Sequence, residues 1–286
     1  MEVIKPFDPW KGTLCTCRNK YSLNPYTGCS HACIYCYITS YIPNAFKCRP
    51  KKDLLRRVER DLQKIDKKPI SMSNSSDPYP PMERKMNLTR DVLKLLCKNN
   101  HPTLIVTKSD IVSRDADILR KIPSAVMFTI TTLKDLHKKL EPHAPPPQKR
   151  LYALKKLRNA NIPAGIRLDP IIPGITLDIE KVIKEAAKAG AMHVTTSTFK
   201  PRPDAWKRFE GVFPKVAKKT KYLYFEEGKR IQGARYLPKK LRLKILSEVR
   251  DLVLEKNMSF GICREGLNLG GGKSCDGSHL CFENLS

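Results

Sequence analysis

Three cysteines stand close together near the amino terminus of this chain, in the segment Asn24-Pro-Tyr-Thr-Gly-Cys29-Ser-His-Ala-Cys33-Ile-Tyr-Cys36-Tyr37. Thiolates at this spacing can bind three irons of one iron–sulfur cluster from a single loop. Because the segment offers no fourth cysteine, one iron of such a cluster would stay open to a substrate or a cofactor. The spacing therefore predicts a cluster that does chemistry at its open iron.

Zinc is the alternative metal for these cysteines. A structural zinc site requires four ligands, and a C-x₂-C pair is usually matched by a second pair elsewhere in the chain. His31 is a candidate fourth ligand, but its position inside the short loop would strain the coordination. The cysteine spacing therefore favours the iron–sulfur cluster.

Five further cysteines form a second group near the two ends of the chain: Cys15, Cys17, Cys263, Cys275 and Cys281. The glycines at positions 270–272 would let the carboxyl-terminal loop fold around a metal, and chain ends often lie near each other. Four of these thiols could form an auxiliary iron–sulfur cluster or a zinc site. The alternative is a set of unligated thiols, because the spacing fits no standard zinc or ferredoxin pattern.

The chain is strongly basic, with 54 Lys and Arg against 28 Asp and Glu and a formal net charge of +26. Solubility alone does not require such an excess. A thermophile surface rich in lysine is the alternative, but such surfaces usually gain glutamate together with lysine. The imbalance therefore predicts a polyanionic partner, and we expect nucleic acid.

Short apolar runs alternate with amphipathic stretches from about position 69 onward, which is typical of repeated strand–helix units. The predicted strands are Ile70–Asn74, Thr103–Thr107, Val126–Thr132, Ala164–Leu168 and His193–Phe199, preceded by Leu23–Cys29. The predicted helices are Lys52–Lys64, Asp91–Lys98, Pro147–Asn159 and Asp178–Ala189, the last one stopped by Gly190. About six such units are fewer than the eight of a complete barrel. We therefore predict an α/β fold with a partial (β/α)6 TIM-type barrel, open on one side.

Polar residues follow several of the predicted strands. Ser75, Ser76 and Asp77 follow one strand, and Ser109 and Asp169 follow two others. Each of them could be an ordinary turn or helix-capping residue. Because the loops at the carboxyl ends of parallel strands converge on one mouth, their recurrence there predicts a shared site.

Aromatic residues are interleaved with Lys and Arg between positions 200 and 244: Trp206, Phe209, Tyr222, Tyr224, Phe225 and Tyr236. Basic side chains follow phosphates, and aromatic faces can stack on unpaired bases. A basic surface over buried aromatic residues would give the same pattern. The sequence leaves both interpretations open.

The C-x₃-C-x₂-C spacing, with an aromatic residue before the third cysteine, resembles the signature of the radical S-adenosylmethionine superfamily. Further segments resemble the branch that contains spore photoproduct lyase and the proteins called DNA repair photolyases. They are Lys20-Tyr-Ser-Leu-Asn-Pro-Tyr, Ser76-Asp-Pro-Tyr-Pro-Pro-Met-Glu-Arg84, Thr107-Lys-Ser109, Glu141-Pro142 and Arg167 to Gly174. The resemblance implies that S-adenosylmethionine binds the open iron and is cleaved reductively to a 5′-deoxyadenosyl radical, which then abstracts hydrogen from a substrate.

The resemblance also implies roles for individual residues. Cys29, Cys33 and Cys36 would ligate the 4Fe-4S cluster, while Tyr35 would lie beside the adenine and form a hydrogen relay with Tyr37. The other implied cofactor contacts are Ser75, Ser76 and Asp77 for the methionine moiety, Ser109 and Arg167 for the ribose and carboxylate, and Asp169 and Ile172 in or beside the adenine-contacting segment.

One position departs from spore photoproduct lyase. That enzyme resembles this chain around the end of the second strand, but it has a hydrogen-donating cysteine where this chain has Asn74. An amide cannot donate a hydrogen atom as a thiol does. The departure therefore argues against the same repair route in this protein.

Together these observations predict three parts: an amino-terminal segment over 1–22 with Cys15 and Cys17, a barrel core over 23–200, and a basic, cysteine-containing extension over 201–286 packed on the barrel. We expect a radical enzyme acting on RNA or DNA, with ferredoxin or flavodoxin as electron donor. The alternatives are a radical enzyme acting on a peptide or metabolite, and a nucleic-acid-binding protein with a structural or redox cluster. With no signal peptide and no apolar run near the roughly 20 residues that span a bilayer, we expect a cytoplasmic protein without a membrane partner.

Overall fold

In the computed structural model of the chain, residues 2–7, 12–72, 75–270 and 273–283 are described. Twelve strands lie in these ranges. They are β1 (Lys5–Pro6), β2 (Tyr21–Leu23), β3 (Tyr26–Thr27), β4 (Arg49–Pro50), β5 (Ile70–Met72), β6 (Thr103–Thr107), β7 (Ser124–Thr129), β8 (Ala164–Ile171), β9 (His193–Thr198), β10 (Lys229–Ile231), β11 (Ala234–Tyr236) and β12 (Ser259–Ile262).

Ten α-helices lie in the same ranges. They are α1 (Leu54–Leu62), α2 (Glu83–Met86), α3 (Leu88–Lys98), α4 (Ala116–Leu119), α5 (His137–Leu140), α6 (Pro147–Asn159), α7 (Ile179–Lys188), α8 (Pro203–Val212), α9 (Pro214–Phe225) and α10 (Lys239–Leu254). Short 3₁₀ turns cover Ile38–Ser40, Asp110–Asp115 and Ser278–Phe282.

The main sheet has the strand order β1-β2-β5-β6-β7-β8-β9-β12. Strand β1 pairs antiparallel with β2 at one edge, and every other neighbouring pair is parallel. In the described ranges the parallel strands are linked by six helical crossovers. This topology confirms the predicted α/β fold with a partial barrel.

Several predicted elements match the structure closely, and one does not. Strand β6 and helix α6 have the predicted bounds. Gly190 follows helix α7 in the left-handed conformation, with φ +90°, as expected of a stop signal. The predicted strand over Leu23–Cys29 was wrong, because Tyr26–Thr27 leaves the main sheet and pairs with β4. The end of the predicted strand Ile70–Asn74 lies outside the described residues.

The segment after Phe199 is as regular as the rest of the chain. It forms α8, α9, the hairpin β10–β11 and α10 before β12 pairs in parallel with β9. Strand β12 therefore extends the barrel sheet, although it lies within 201–286. Its four residues are too short a run to show a strand pattern in the sequence.

Most aromatic residues of the basic segment lie in the core. Trp206, Phe209 and Tyr224 pack with Phe199 and Phe213 in one apolar cluster. Buried rings have no face to offer to a base, so the base-stacking interpretation was wrong for them. Tyr236 is buried as well, whereas Tyr222 and Phe225 are exposed.

The carboxyl-terminal segment lies against the inner face of the sheet. Leu280 and Cys281 pack with Leu104 and Met127, while neighbouring residues of the same strands, such as Val126, pack with the helices. Alternate residues of a strand point to opposite faces, so this segment occupies the side away from the helices. The chain ends thus help to fill the partial barrel.

None of the described helices is long and apolar enough to cross a bilayer.

A buried histidine pair connects the carboxyl-terminal segment to the sheet. His193 Nδ1 lies 2.9 Å from Ser259 Oγ, and that hydroxyl lies 3.1 Å from His279 Nε2. Burial, with His279 close by, lowers the pKa of His193 to about 3. Burial also lowers the pKa of His279. Both rings are therefore neutral in the folded protein near neutral pH.

We expect mild acid to destabilise the fold through His193. The unfolded chain protonates this ring near pH 6.5 while the folded chain does not, so stability present above pH 6.5 falls as pH drops toward 3. Between pH 7 and pH 5 the loss should be about 2 kcal/mol, measured by urea unfolding. His193→Gln should flatten this dependence, whereas the exposed His143→Gln should not. An unchanged slope in His193→Gln would contradict the assignment.

Candidate functional site

The cysteine loop begins at a point where only glycine fits. Gly28 has φ +74°, and a Cβ there would lie 2.7 Å from Ala45 O. The next residue, Cys29, donates its backbone N–H to the same oxygen, at 2.7 Å. The loop is thereby packed tightly against the segment before β4.

Two other elements hold the second half of this loop. Ile34 N donates to Leu140 O at 3.0 Å, at the end of α5. Arg208, on α8, donates from Nε to Ile34 O at 3.0 Å and from Nη2 to Cys36 O at 2.6 Å. The backbone of the loop is thus fixed by contacts from distant parts of the chain.

Asp77 is the central support of the loop. Its carboxylate accepts hydrogen bonds from Thr107 Oγ1 at 2.6 Å, Lys108 N at 2.7 Å and Tyr79 N at 2.9 Å. His31 Nε2 lies 3.2 Å from Asp77 Oδ2. Burial alone would raise the pKa of Asp77, but His31 and these hydrogen bonds lower it to about 2. His31 therefore faces a carboxylate, and Asp77 joins the loop to the end of β6.

The three cysteines suit a cationic iron–sulfur cluster. Burial raises the pKa of Cys33 to about 12, and it also raises the pKa of Cys29 and Cys36 above the ordinary thiol value. Buried thiolates are costly unless a cation binds them, and iron in a cluster supplies that charge. The residues present therefore fit the cluster that the spacing predicts. Within 2–7, 12–72, 75–270 and 273–283, no three His, Cys, Asp or Glu are grouped so as to hold a single metal ion.

A buried charged network lies beside Cys33. The Tyr35 hydroxyl donates to Glu141, and Arg150 Nη2 lies 2.5 Å from Glu141 Oε2. Burial raises the pKa of Glu141, but Arg150 and Lys108 outweigh it and hold the carboxyl ionised. Burial likewise lowers the pKa of Lys108, but Cys33 and Glu141 keep that amine charged. A positive charge therefore faces the predicted cluster from β6.

Tyr37 stands at the mouth of the barrel. Its side chain is 50% exposed, whereas Tyr35 is half-buried and its hydroxyl donates to Glu141. Arg167 Nη2 lies 2.6 Å from Asp169 Oδ2, and Ser197 Oγ donates to Asp169 Oδ1 at 2.5 Å. Arg167 and Asp169 both act on the pKa of the Tyr37 phenol, which places this ion pair close to it.

The other predicted cofactor contacts take part in local hydrogen bonds. Ser76 Oγ donates to Tyr26 O at 2.8 Å, and Ser75 N lies 3.5 Å from Asn24 Oδ1. Ser109 caps the 3₁₀ turn by accepting from Ile111 N at 3.4 Å. Ser75, Ser76 and Ser109 are therefore hydrogen-bonded to other residues of the chain.

Ile172 is buried beside the cysteine loop. It belongs to the apolar cluster that contains Ile34, and its N–H donates to Thr176 Oγ1 at 2.8 Å. The segment after β8 and the cysteine loop therefore contribute to the same apolar cluster. Asn74, where a hydrogen-donating cysteine stands in spore photoproduct lyase, lies outside the described residues.

The structure adds residues that sequence reasoning did not assign. Arg150 and Arg208 lie within helices, each directly after a lysine, and no pattern separates them from the many other basic residues of this chain. Glu265 is fully buried and accepts from Thr198 N at 2.7 Å and from Arg242 Nη1 at 2.9 Å. In the sequence, the available signal for Glu265 was an acidic residue next to Gly266 in a strongly basic chain.

The second cysteine group is only partly brought together. Cys17 Sγ lies 3.2 Å from Cys275 Sγ, and Cys15 is hydrogen-bonded to Cys17. Cys263 follows β12 at the mouth, where it acts on the pKa of both Arg167 and Cys275. Cys281 is buried apart from them, with Sγ 3.5 Å from Thr103 O.

The parallel open barrel and the loop of three thiols at its mouth define a class of iron–sulfur protein, and comparison with known proteins agrees. The family model described as the radical SAM superfamily matches residues 23–186. This match covers more than half of the chain, so the chain belongs to the radical SAM superfamily.

Related proteins are found in an archaeon and a virus. An uncharacterized protein of Methanocaldococcus jannaschii is 36% identical over 180 residues, which cover 58% of this chain and 65% of that protein. An uncharacterized protein of Acidianus two-tailed virus is 29% identical over 199 residues, covering 61% of this chain and 65% of the relative. The chain therefore spans somewhat less than two thirds of these relatives.

Solved structures share the fold at low sequence identity. A spore photoproduct lyase double mutant with bound AdoMet and dinucleoside spore photoproduct has a TM-score of 0.63 and 18% identity, covering 87% of this chain and 76% of that chain. The radical S-adenosylmethionine methyltransferase TsrM from Kitasatospora setae has a TM-score of 0.54 and 10% identity, covering 91% of this chain and 58% of that chain.

The support role of Asp77 gives a stability prediction. Asp77→Asn should lower the free energy of unfolding of the cluster-free protein by about 2 kcal/mol, because a buried ionic partner and acceptor is lost. Urea unfolding measures this loss. Asp135→Asn is the matched control, since that side chain is 88% exposed, and it should change stability by less than about 0.5 kcal/mol. Equal stability of the two variants would rule out the support role.

The contact between Cys17 and Cys275 gives a second prediction. A hydrogen bond with Cys17 lowers the pKa of Cys275, so its thiolate should attack a small disulfide and then exchange with Cys17. Peptide mass spectrometry without reduction should find this cross-link in the cluster-free protein treated with oxidised glutathione. Cys281, buried and with a raised pKa, should stay a free thiol. Zinc or iron retained by Cys17 and Cys275 would contradict the expectation.

Proposed function

We propose that this protein is a radical S-adenosylmethionine enzyme that acts on nucleic acid. The observation that carries the first part is the loop of the buried Cys33 and the half-buried Cys29 and Cys36, fixed at the carboxyl ends of a parallel sheet. When bound, a 4Fe-4S cluster and S-adenosylmethionine supply reductive cleavage to a 5′-deoxyadenosyl radical. An electron donor such as ferredoxin or flavodoxin would provide the electron.

The residues of the chain divide into supports and contacts in this proposal. Asp77 and Ser109 act as supports, because their side chains are engaged by loop and turn backbone. Arg167 and Asp169 face the mouth and are placed to orient the polar groups of the cofactor. Lys108 would hold positive charge beside the cluster and so favour its reduced, more negative state.

Tyr37 is the better placed of the two relay candidates. Its ring is half-exposed at the mouth and its hydroxyl is hydrogen-bonded to Tyr41, another exposed tyrosine, whereas the Tyr35 hydroxyl is held by the buried Glu141. A phenol that exchanges hydrogen with a substrate must reach it. We therefore assign the contact with substrate to Tyr37 and a positioning role to Tyr35.

The net charge of +26 supports a nucleic-acid substrate. Part of this charge borders the mouth. Arg202 Nη2 donates to Gln232 O at 3.1 Å, and this hydrogen bond connects the β10–β11 hairpin to the segment that follows β9. Lys229 and Arg230 of the hairpin are exposed. Such a rim would attract phosphates, and a target base would enter the mouth unpaired or flipped out of a duplex.

The test of this function is product analysis. The anaerobically reconstituted, reduced protein is incubated with S-adenosylmethionine and either total tRNA or irradiated DNA, and 5′-deoxyadenosine and nucleoside masses are followed. We expect 5′-deoxyadenosine with a mass change in one nucleic acid. Cofactor cleavage without any nucleoside change would favour a peptide or metabolite substrate. Nucleic-acid binding without cleavage would instead indicate a binding protein with a structural cluster.

Replacing one cluster ligand should abolish cofactor cleavage. Cys33→Ala removes the only protein anchor of one iron, so 5′-deoxyadenosine formation should fall at least about a hundredfold, as liquid chromatography would show. Cys97→Ala is the control, because Cys97 packs on helix α3 against the main core. Cleavage in Cys33→Ala at the rate of Cys97→Ala would refute the assignment.

A further inference from the structure

A cation-lined cavity lies on the outer side of the cysteine loop. Its volume is about 510 Å³, and Lys5, Arg49, Lys51, Lys52 and Arg57 line it together with backbone and small polar groups. These cations come from three parts of the chain: β1, the segment from β4 to the start of α1, and α1 itself. Four of these cations lie within residues 49–57, and the fold brings Lys5 to them.

One carboxylate, that of Glu2, lines the cavity together with the five cations, so the cations outnumber the acids. Across the described ranges, no carboxylate lies within ion-pair distance of Lys5, Arg49, Lys51 or Lys52. Arg49 instead donates to the backbone carbonyls of residues 43, 44 and 47, which fix its guanidinium without neutralising it. Like charges held together in this way leave a site that favours an anion.

Lys51 is half-buried in this cavity. Burial, with Arg57 and Lys5 close by, lowers its pKa to about 8. Its backbone N–H donates to Pro25 O at 3.1 Å, which holds it beside the strand that leads into the cysteine loop. A phosphate entering the cavity would replace the lost solvation and relieve the repulsion among the amines.

The position of the cavity connects it to the mouth of the barrel. Asn24 and Thr27, which line it, come directly before Gly28 and Cys29. Arg49 donates to carbonyls of residues 43–47, and Ala45 O in the same segment accepts the hydrogen bond from Cys29 N. An anion in this cavity would therefore contact the residues that lead directly into the cysteine loop.

We propose that this cavity binds backbone phosphate of the nucleic-acid strand whose base reaches the mouth, an inference that rests on the proposed function. The chemistry recognised is phosphate, which a nucleic-acid strand or a small phosphorylated compound could supply. The cavity is larger than a single phosphate needs and is open to solvent, as a passing strand requires.

The first test uses the reactivity of Lys51. About a tenth of an amine with a pKa of about 8 is in the neutral, nucleophilic form at pH 7, against well under about a hundredth of an ordinary lysine, so acetic anhydride should label Lys51 ahead of the exposed lysines. The reconstituted protein, held without reductant, is labelled alone, with a single-stranded 12-mer oligonucleotide, or with pyrophosphate. Mass spectrometry should show Lys51 protected by the oligonucleotide at concentrations where pyrophosphate has little effect.

The second test uses matched charge removal. The double variant Lys51→Ala/Lys52→Ala should bind the oligonucleotide about tenfold more weakly at low salt. The slope of log K against log salt concentration should become shallower by about 1.4, since two phosphate contacts are lost. The control is Lys181→Ala with Lys184→Ala, two exposed lysines of α7 that do not line the cavity. It should keep the wild-type slope. Thermal melting confirms that both variants fold.

The outcomes separate the sources of phosphate. Protection by pyrophosphate alone, with an unchanged slope in Lys51→Ala/Lys52→Ala, would assign the cavity to a small phosphorylated compound and overturn the proposal. Equal binding by both double variants without any protection would overturn it as well. Neither measurement requires turnover, so absence of 5′-deoxyadenosine would count against the proposed function and leave this test intact.

Discussion

Three thiols can serve one cluster only when the loop that carries them keeps a single shape, and this loop has few backbone hydrogen bonds of its own. Its shape is imposed from outside by Ala45, Leu140, Arg208 and the carboxylate of Asp77. These groups come from four separate parts of the chain. The helices and strands that deliver them are therefore as much a part of the site as the cysteines.

Charge is distributed unevenly around this loop. The chain is strongly basic, yet acids are buried in several parts of its described residues, and three of them near the mouth, Asp77, Glu141 and Glu265, are each surrounded by cationic or N–H donors. A buried carboxylate persists only when such partners compensate its lost solvation. The excess lysine and arginine remain on the outside, where they are available to phosphates.

The two groups of cysteines differ in physical character. The first is presented by one buried loop and suits a multi-iron cluster. In the second, Cys17 and Cys275 are nearly in contact, Cys263 faces the mouth and Cys281 packs in the interior. Sequence spacing cannot distinguish these arrangements, because the second group is assembled from the two ends of the chain.

The sequence by itself predicted Cys29, Cys33 and Cys36 as cluster ligands and determined the alternation of strands and helices, because local spacing and periodicity are set by neighbouring residues. It also determined the excess of positive charge. The tertiary structure decided that Trp206 and Tyr224 are core residues, that Asp77 supports the loop, and that the last strand joins the barrel. It also brought Lys5 to Lys51. These outcomes depend on contacts between residues far apart in the chain, and only packing can establish such contacts.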